Sequence, residues 1–191
     1  MIPLYRALLA DARFHELLLA FDRDIAAAAR ASGCVRCAGT LHAAPFWRKP
    51  RGLPAGLGKE HSRRSSFCCS ARECRKRKTP PSLRFLGRRV YAGAVMVVIS
   101  AMRQGAMAAR QLCALFGVNR RTIARWRKWW RSAFVASPFW RVAAAAFMPP
   151  VDEAHLPASL LEQFVGDTAA KLIALLRVLL PLTGGTGVRA A

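Results

Sequence analysis

A chain of 191 residues with 31 Lys+Arg against 10 Asp+Glu carries a formal net charge of +21. Such an excess costs self-repulsion in the compact state unless a polyanion relieves it, which argues against an ordinary enzyme of neutral small molecules. At 53% hydrophobic, the chain is also too apolar for a disordered basic tail, so composition points to a folded protein that works against nucleic acid.

Residues 2–30 read as a helix. Leu4, Leu8, Ala12, His15, Leu18, Leu19, Asp22 and Ile25 recur near a 3.6-residue period, and Gly33 stops the pattern. Charges at Arg6, Asp11, Arg13 and Glu16 break the order expected of a signal peptide. The most apolar run, Val90 to Met102, is 13 residues long, below the roughly 20 that a spanning helix needs. A reducing cytoplasmic setting, close to the nucleoid, is therefore expected, with the cysteines read as metal ligands or core before disulfides.

Residues 31–86 are rich in Gly, Pro, Cys and cations, with turn signals at Lys49-Pro50-Arg51-Gly52 and Leu53-Pro54-Ala55-Gly56. Such a segment buries too little apolar surface to hold itself together and calls for a staple. Cys34-Val-Arg-Cys37 is a Cys-x2-Cys knuckle, and Cys68, Cys69 and Cys74 follow about thirty residues on. Two sequence-local thiolate pairs suit a tetrahedral structural Zn²⁺ with no open position for water. The expected ligands are Cys34, Cys37, Cys69 and Cys74. Cys69 is preferred to Cys68 because strand alternation would put it on the face of Phe67. His42 and His61 are alternative fourth ligands. The basic run Arg72, Arg75, Lys76, Arg77 and Lys78 brackets the last cysteine, and its residues 75–78 are expected to contact phosphate.

From Cys74 to Val151, 78 consecutive residues contain no Asp or Glu but sixteen Lys+Arg. A solvated face normally mixes signs, so this stretch reads as a surface laid along phosphates. Within it, residues 87–135 are helical by pattern. Gly117 separates two helices whose Leu112, Phe116, Val118, Ile123 and Trp126 fall where a helix-turn-helix buries side chains, with Cys113 as a small packing residue. Asn119 is a suitable N-cap for the second helix. Its exposed face would then carry Arg120, Arg121, Thr122, Arg125 and Lys128, with Asn119 at the entrance, placed to meet base edges in the major groove of double-stranded DNA. Trp129 and Trp130 read as core or interface. Residues 136–191 form a Pro-marked connector and two short helices, the first opened by a Ser159-x-x-Glu162 capping box and the second capped by Asp167. The leucine stripe of Lys171–Leu180 reads as core, or as a dimer seam if exposed.

Residues 31–131 resemble the N-terminal, DNA-recognising region of bacterial insertion-sequence transposases, in which a zinc ribbon precedes a helix-turn-helix. The stretch from Phe67 through Cys69 and Cys74 to Ser82 looks like the second ribbon knuckle. The likeness continues through Arg84-Phe-Leu-Gly-Arg-Arg89, adding Arg84, Arg88 and Arg89 as DNA contacts. Such transposases cut DNA with a carboxylate trio holding two metal ions. Here Asp152, Glu153, Glu162 and Asp167 lie within sixteen residues and too little chain surrounds them for that domain. The resemblance therefore implies a non-enzymatic accessory or truncated relative that could serve a separate catalytic subunit, or a stand-alone DNA-binding regulator.

The expected fold is mainly α with a small β zinc-ribbon-like module and a helix-turn-helix. The expected domains are 1–30, 31–86, 87–135 and 136–191. An RNA-binding or ribosome-associated basic protein is the alternative, favoured if aromatics stand exposed for stacking. A Cys/His hydrolase has no recognisable arrangement.

Overall fold

The computed structural model describes residues 2–86, 91–102, 113, 114 and 116–184, with side chains from Leu4 onward. Arg88 and Arg89 lie outside the described residues, as does Leu112.

The expected N-terminal helix is two. Helix α1 (Ile2–Ala10) ends at Asp11, and α2 (Ala12–Ala31) starts there. Asp11 leaves helical geometry at φ −77°, ψ 117°, and its carboxylate accepts from the Arg13 N–H at 2.9 Å. Asp competes with helix backbone by such local bonds, which is why it caps more readily than it continues. The face of α2 that turns inward carries Phe14, His15, Leu18, Leu19, Asp22 and Ala26.

A small antiparallel module follows. Strands β1 (Leu41–Ala43), β4 (Phe67–Cys69) and β5 (Arg77–Lys78) form a three-stranded sheet in the order β1-β4-β5. Strands β2 (Phe46–Trp47) and β3 (Arg63–Arg64) make a separate two-stranded ribbon. The module has its own miniature core of Ala26, Cys34, Leu41, Phe67 and Cys69. Five such residues cannot carry a sheet of this size by apolar burial alone.

The main core gathers on α3 (Gly93–Ala101), whose residues from Gly93 to Ser100 are all buried. A helix apolar around its whole circumference must be surrounded, and α1, α4 (Arg120–Trp129) and α7 (Thr168–Val178) pack on it. A π-helical turn, Trp130–Phe134, continues α4 and sinks Trp130 and Phe134 into that core.

The connector expected after residue 136 contains a further helix, α5 (Pro138–Ala143). Ser137 caps it by accepting from the Trp140 N–H, and Pro138 occupies the first turn, where its missing N–H has no partner to lose. Trp140 is 1% exposed and donates from Nε1 to Glu153 at 2.7 Å.

The capping box proposed at Ser159 does not form. Helix α6 (Ala158–Glu162) begins after Pro157, and the Ser159 hydroxyl donates to the Asp152 carbonyl instead. Asp167 does cap α7, accepting from the Ala170 N–H at 2.8 Å. Leu172, Leu175, Leu176 and Leu179 are buried within this chain's own core, so they present no dimer seam.

Candidate nucleic-acid interface and metal centre

Asn119 sets the start of α4. Its backbone is extended (φ −67°, ψ 143°) and its Oδ1 accepts from the Arg121 N–H at 2.8 Å. Ahead of it the chain is helical at Cys113, Ala114 and Phe116, and Gly117 turns at φ +60°, a conformation that costs a side-chain-bearing residue energy. Val118, Ile123 and Trp126 are buried, as the spacing requires, and Cys113 and Phe116 pack partly against the same core. Two ties fix the helix to residues flanking α3. Arg127 donates to the Met102 carbonyl at 2.8 Å, and the Tyr91 and Trp126 rings meet edge-to-face at 4.9 Å. Partial burial lowers the Arg127 pKa, and neighbouring Arg131 lowers it further.

The outward face of α4 carries Arg120, Arg121, Ala124, Arg125 and Lys128, all exposed and with no carboxylate on the helix. Thr122 is a correction. It is 9% exposed, and its hydroxyl accepts from Arg125 at 3.1 Å, so it steers that guanidinium rather than meeting a base.

The cysteine cluster assembles the expected four. The Sγ atoms of Cys34, Cys37, Cys69 and Cys74 all lie within 4.8 Å of one another. Cys34–Cys74 is 3.6 Å and Cys37–Cys69 is 3.4 Å. A tetrahedral ion with metal–sulfur bonds of about 2.3 Å has edges of about 3.8 Å, so the four sulfurs fit one ion. Gly39 leaves room beside them, since a Cβ there would stand 3.2 Å from the Cys69 sulfur and 3.3 Å from that of Cys37, tighter than an ordinary contact. Cys68 faces away, toward the Cys69 and Arg75 carbonyls, as strand alternation demands. Neither His42 nor His61 joins the cluster.

The irregular spacing of the second knuckle has a structural explanation. In the first, the Cys34 N–H donates to the Gly39 carbonyl, the Ala38 N–H to the carbonyl four residues back, and Ala38 sits at φ 54°. In the second, the Cys69 N–H donates to the Lys76 carbonyl, the Arg75 N–H to the carbonyl four residues back, and Arg75 sits at φ 45°. The two loops are the same turn. In the first that carbonyl belongs to Cys34 itself, and in the second to Ala71, so two extra residues separate the cysteine from the turn.

Electrostatics within the cluster favour a cation. The N–H groups of Arg36 and Cys37 point at Cys34 and bring its pKa down to about 6. At Cys69 the Ala71 N–H acts in the same sense, but burial and the adjoining sulfurs outweigh it and push the thiol up to about 12. Four sulfurs at this distance cannot all ionise without a positive charge among them.

Of the four cations that follow Cys74, three are free to meet phosphate and one is not. Arg75, Lys76 and Arg77 are exposed, Arg77 with one N–H on the Ala44 carbonyl. Lys78 is a correction. Its ammonium donates to Ala29 O at 3.0 Å, Ser32 Oγ at 2.7 Å and Gly33 O at 3.3 Å, closing the C-terminal end of α2, where a cation complements the helix dipole.

Arg84 is the larger correction. It is 8% exposed, pairs with Asp22, and donates to the carbonyls of Glu60, His61 and Arg63. Arg64 is equally hidden, with donors on the Pro80, Pro81 and Thr183 carbonyls, and burial lowers its pKa to about 10. These two arginines bolt the β module to the helical body. A polar residue within the apolar stripe of α2, Asp22, was the signal in the sequence for a buried partner.

The second helix, its cap and its turn define a helix-turn-helix element. Residues 97–133 match the family model of a helix-turn-helix domain. No curated protein and no solved structure matches the chain. Among the described residues, no helix is long and apolar enough to cross a membrane.

Proposed function

We propose that the chain binds double-stranded DNA in a sequence-dependent way, with α4 as the recognition helix in the major groove and a zinc-stapled basic module gripping phosphate. The observation that carries this reading is the outward face of α4, where Arg120, Arg121, Arg125 and Lys128 stand exposed beside an ordered cap while the opposite face is buried. Arginine suits guanine O6 and N7 as a bidentate donor, each such pair giving roughly 1–3 kcal/mol of discrimination. Arg75, Lys76 and Arg77 supply cations on the second knuckle.

Zinc is the ion that four thiolates in a closed tetrahedral set favour. Its role here is structural, since the sulfurs fill its coordination sphere and the module lacks a core large enough to fold alone. No catalysis is assigned. Asp22 is committed to Arg84, Glu153 to Trp140, and Asp152 and Asp167 to caps, which leaves no convergent carboxylates among them. The order of cysteine module and helix-turn-helix supports kinship with insertion-sequence transposases, in which this chain would recognise DNA for a separate catalytic subunit.

Binding to fluorescent duplexes across a salt series tests the reading. Log affinity should fall against log salt with a slope near −0.9 per phosphate neutralised. Unlabelled duplex should compete far better than single-stranded RNA; equal competition by RNA would favour an RNA-binding protein instead.

A further inference from the structure

The β2–β3 ribbon separates its side chains by face. Phe46 and Arg64 are register partners, as are Trp47 and Arg63, and directly opposed residues share a face of an antiparallel pair. The Phe46–Arg64 face turns inward, where Arg64 is anchored on three carbonyls. The other face displays Trp47, 64% exposed, beside exposed Arg63. Among the described residues Trp47 is the only exposed Phe, Tyr or Trp, and no ring or cation–π contact engages it.

The segment that carries this indole is cationic. Lys49, Arg51, Lys59 and Arg63 are exposed in the same segment, against a single acid, Glu60. A partner protein docking by apolar contact would meet a fence of positive charge; a nucleic acid would meet its complement. The segment is also held in a fixed relation to α4. The Ala92 N–H donates to the Arg51 carbonyl at 3.0 Å, Arg51 bridges to Tyr91, and the Tyr91 ring abuts Trp126 of α4.

We propose that this ribbon is a second DNA-contact element, with the Trp47 indole against sugar and base edges of the duplex beside the site read by α4 and with Lys49, Arg51 and Arg63 on its phosphates. The assignment rests on the reading of α4 as a recognition helix. In a duplex the base faces are stacked on one another, so the indole meets deoxyribose and groove edges by apolar contact and adds affinity and footprint without adding a base code.

Acrylamide quenching of tryptophan fluorescence, compared between the full chain and Trp47→Phe, isolates this indole from the four that are wholly or partly buried. In the free protein the Trp47 component should be strongly quenched, and adding a duplex that carries the preferred site with flanks should protect it. Trp47→Ala should weaken that duplex about tenfold, as loss of an exposed Trp anchor from an interface does, and Lys49→Ala/Arg51→Ala/Arg63→Ala should flatten the log–log salt slope by roughly 2.7. Both variants should keep the wild-type base preference, metal content and circular dichroism. Trp47 remaining equally quenchable in the complex would overturn this inference while leaving the α4 reading intact. So would protection by single strands only, or concentration-dependent shielding in the free protein, which would mean a second copy covers the ring. Absence of any duplex binding would remove both.

Discussion

The carboxylate of Asp22 on α2 receives the Arg84 Nε at 2.8 Å, joining residues 62 apart in the sequence, and both are nearly excluded from solvent. The same carboxylate accepts from the Ser82 hydroxyl and the Leu83 N–H, while the guanidinium satisfies three carbonyls. Removing one member of a buried, fully bonded pair strands the other charge, at about 3–5 kcal/mol. Asp22→Asn and Arg84→Ala should each lower the denaturation midpoint by a stability loss of that order. A surface phosphate contact would change stability within about 0.5 kcal/mol, so an unmoved midpoint in Arg84→Ala would return that residue to the surface.

Metal content gives a second test. Purified under reducing conditions, the chain should carry one zinc, and Cys37→Ser or Cys69→Ser should lose it. Cys68→Ser and Cys113→Ser should retain it, because one sulfur faces two carbonyls and the other lies beside the helical core. Structural zinc supplies about 10–16 kcal/mol in comparable modules, so chelation should release the β1–β5 region to proteolysis. Gly39→Val should mimic chelation by crowding the sulfurs.

The turn between the two helices makes a narrower prediction. Gly117 lies at φ +60°, and no atom of the described residues stands within 4 Å of where a Cβ would go. Gly117→Ala should therefore cost only its backbone strain, about 1–2 kcal/mol, and Gly117→Asn less. Thermal denaturation of the two variants measures the difference; a loss of several kcal/mol would contradict a cost limited to backbone strain.

Acid should destabilise the fold before its carboxylates titrate. Burial lowers the pKa of His15, against the opposing effect of its bond to the Leu9 carbonyl. Burial likewise lowers His61, which Glu60 partly offsets and Arg84 reinforces. A histidine depressed in the fold binds its proton more readily once unfolded. Its contribution is complete above the ordinary value of 6.5 and is lost as pH falls through the folded value. The denaturant midpoint should decline between about pH 6.5 and 5, and a His15→Gln/His61→Asn variant should show a flatter profile. A wild-type midpoint that rose over this interval would contradict the burial of these rings.

What the sequence made legible was local. Asn119, Gly117 and the spacing of Val118, Ile123 and Trp126 specify the second helix and its buried face within ten residues, and Cys34-x2-Cys37 announces its own turn. Interactions across the chain were not legible. Arg84 and Lys78 look like any other cation in a basic run until Asp22 and the end of α2 are brought beside them. The break at Asp11 was hidden because the apolar period runs straight across it, and Ser159 had a capping pattern although the helix starts one residue before it and its hydroxyl donates to the Asp152 carbonyl. The exposed Trp47 carried no pattern at all, since exposure of one strand residue depends on which face its partner buries.

Selection of duplexes from a random pool, by the wild-type chain and by Arg121→Ala/Arg125→Ala, reaches the recognition helix itself. The wild type should enrich a defined motif. The double variant, with zinc content and fold unchanged, should retain salt-sensitive binding but lose preference at the positions those guanidinium groups read. Enrichment of an identical motif by both proteins would show that α4 does not read the bases.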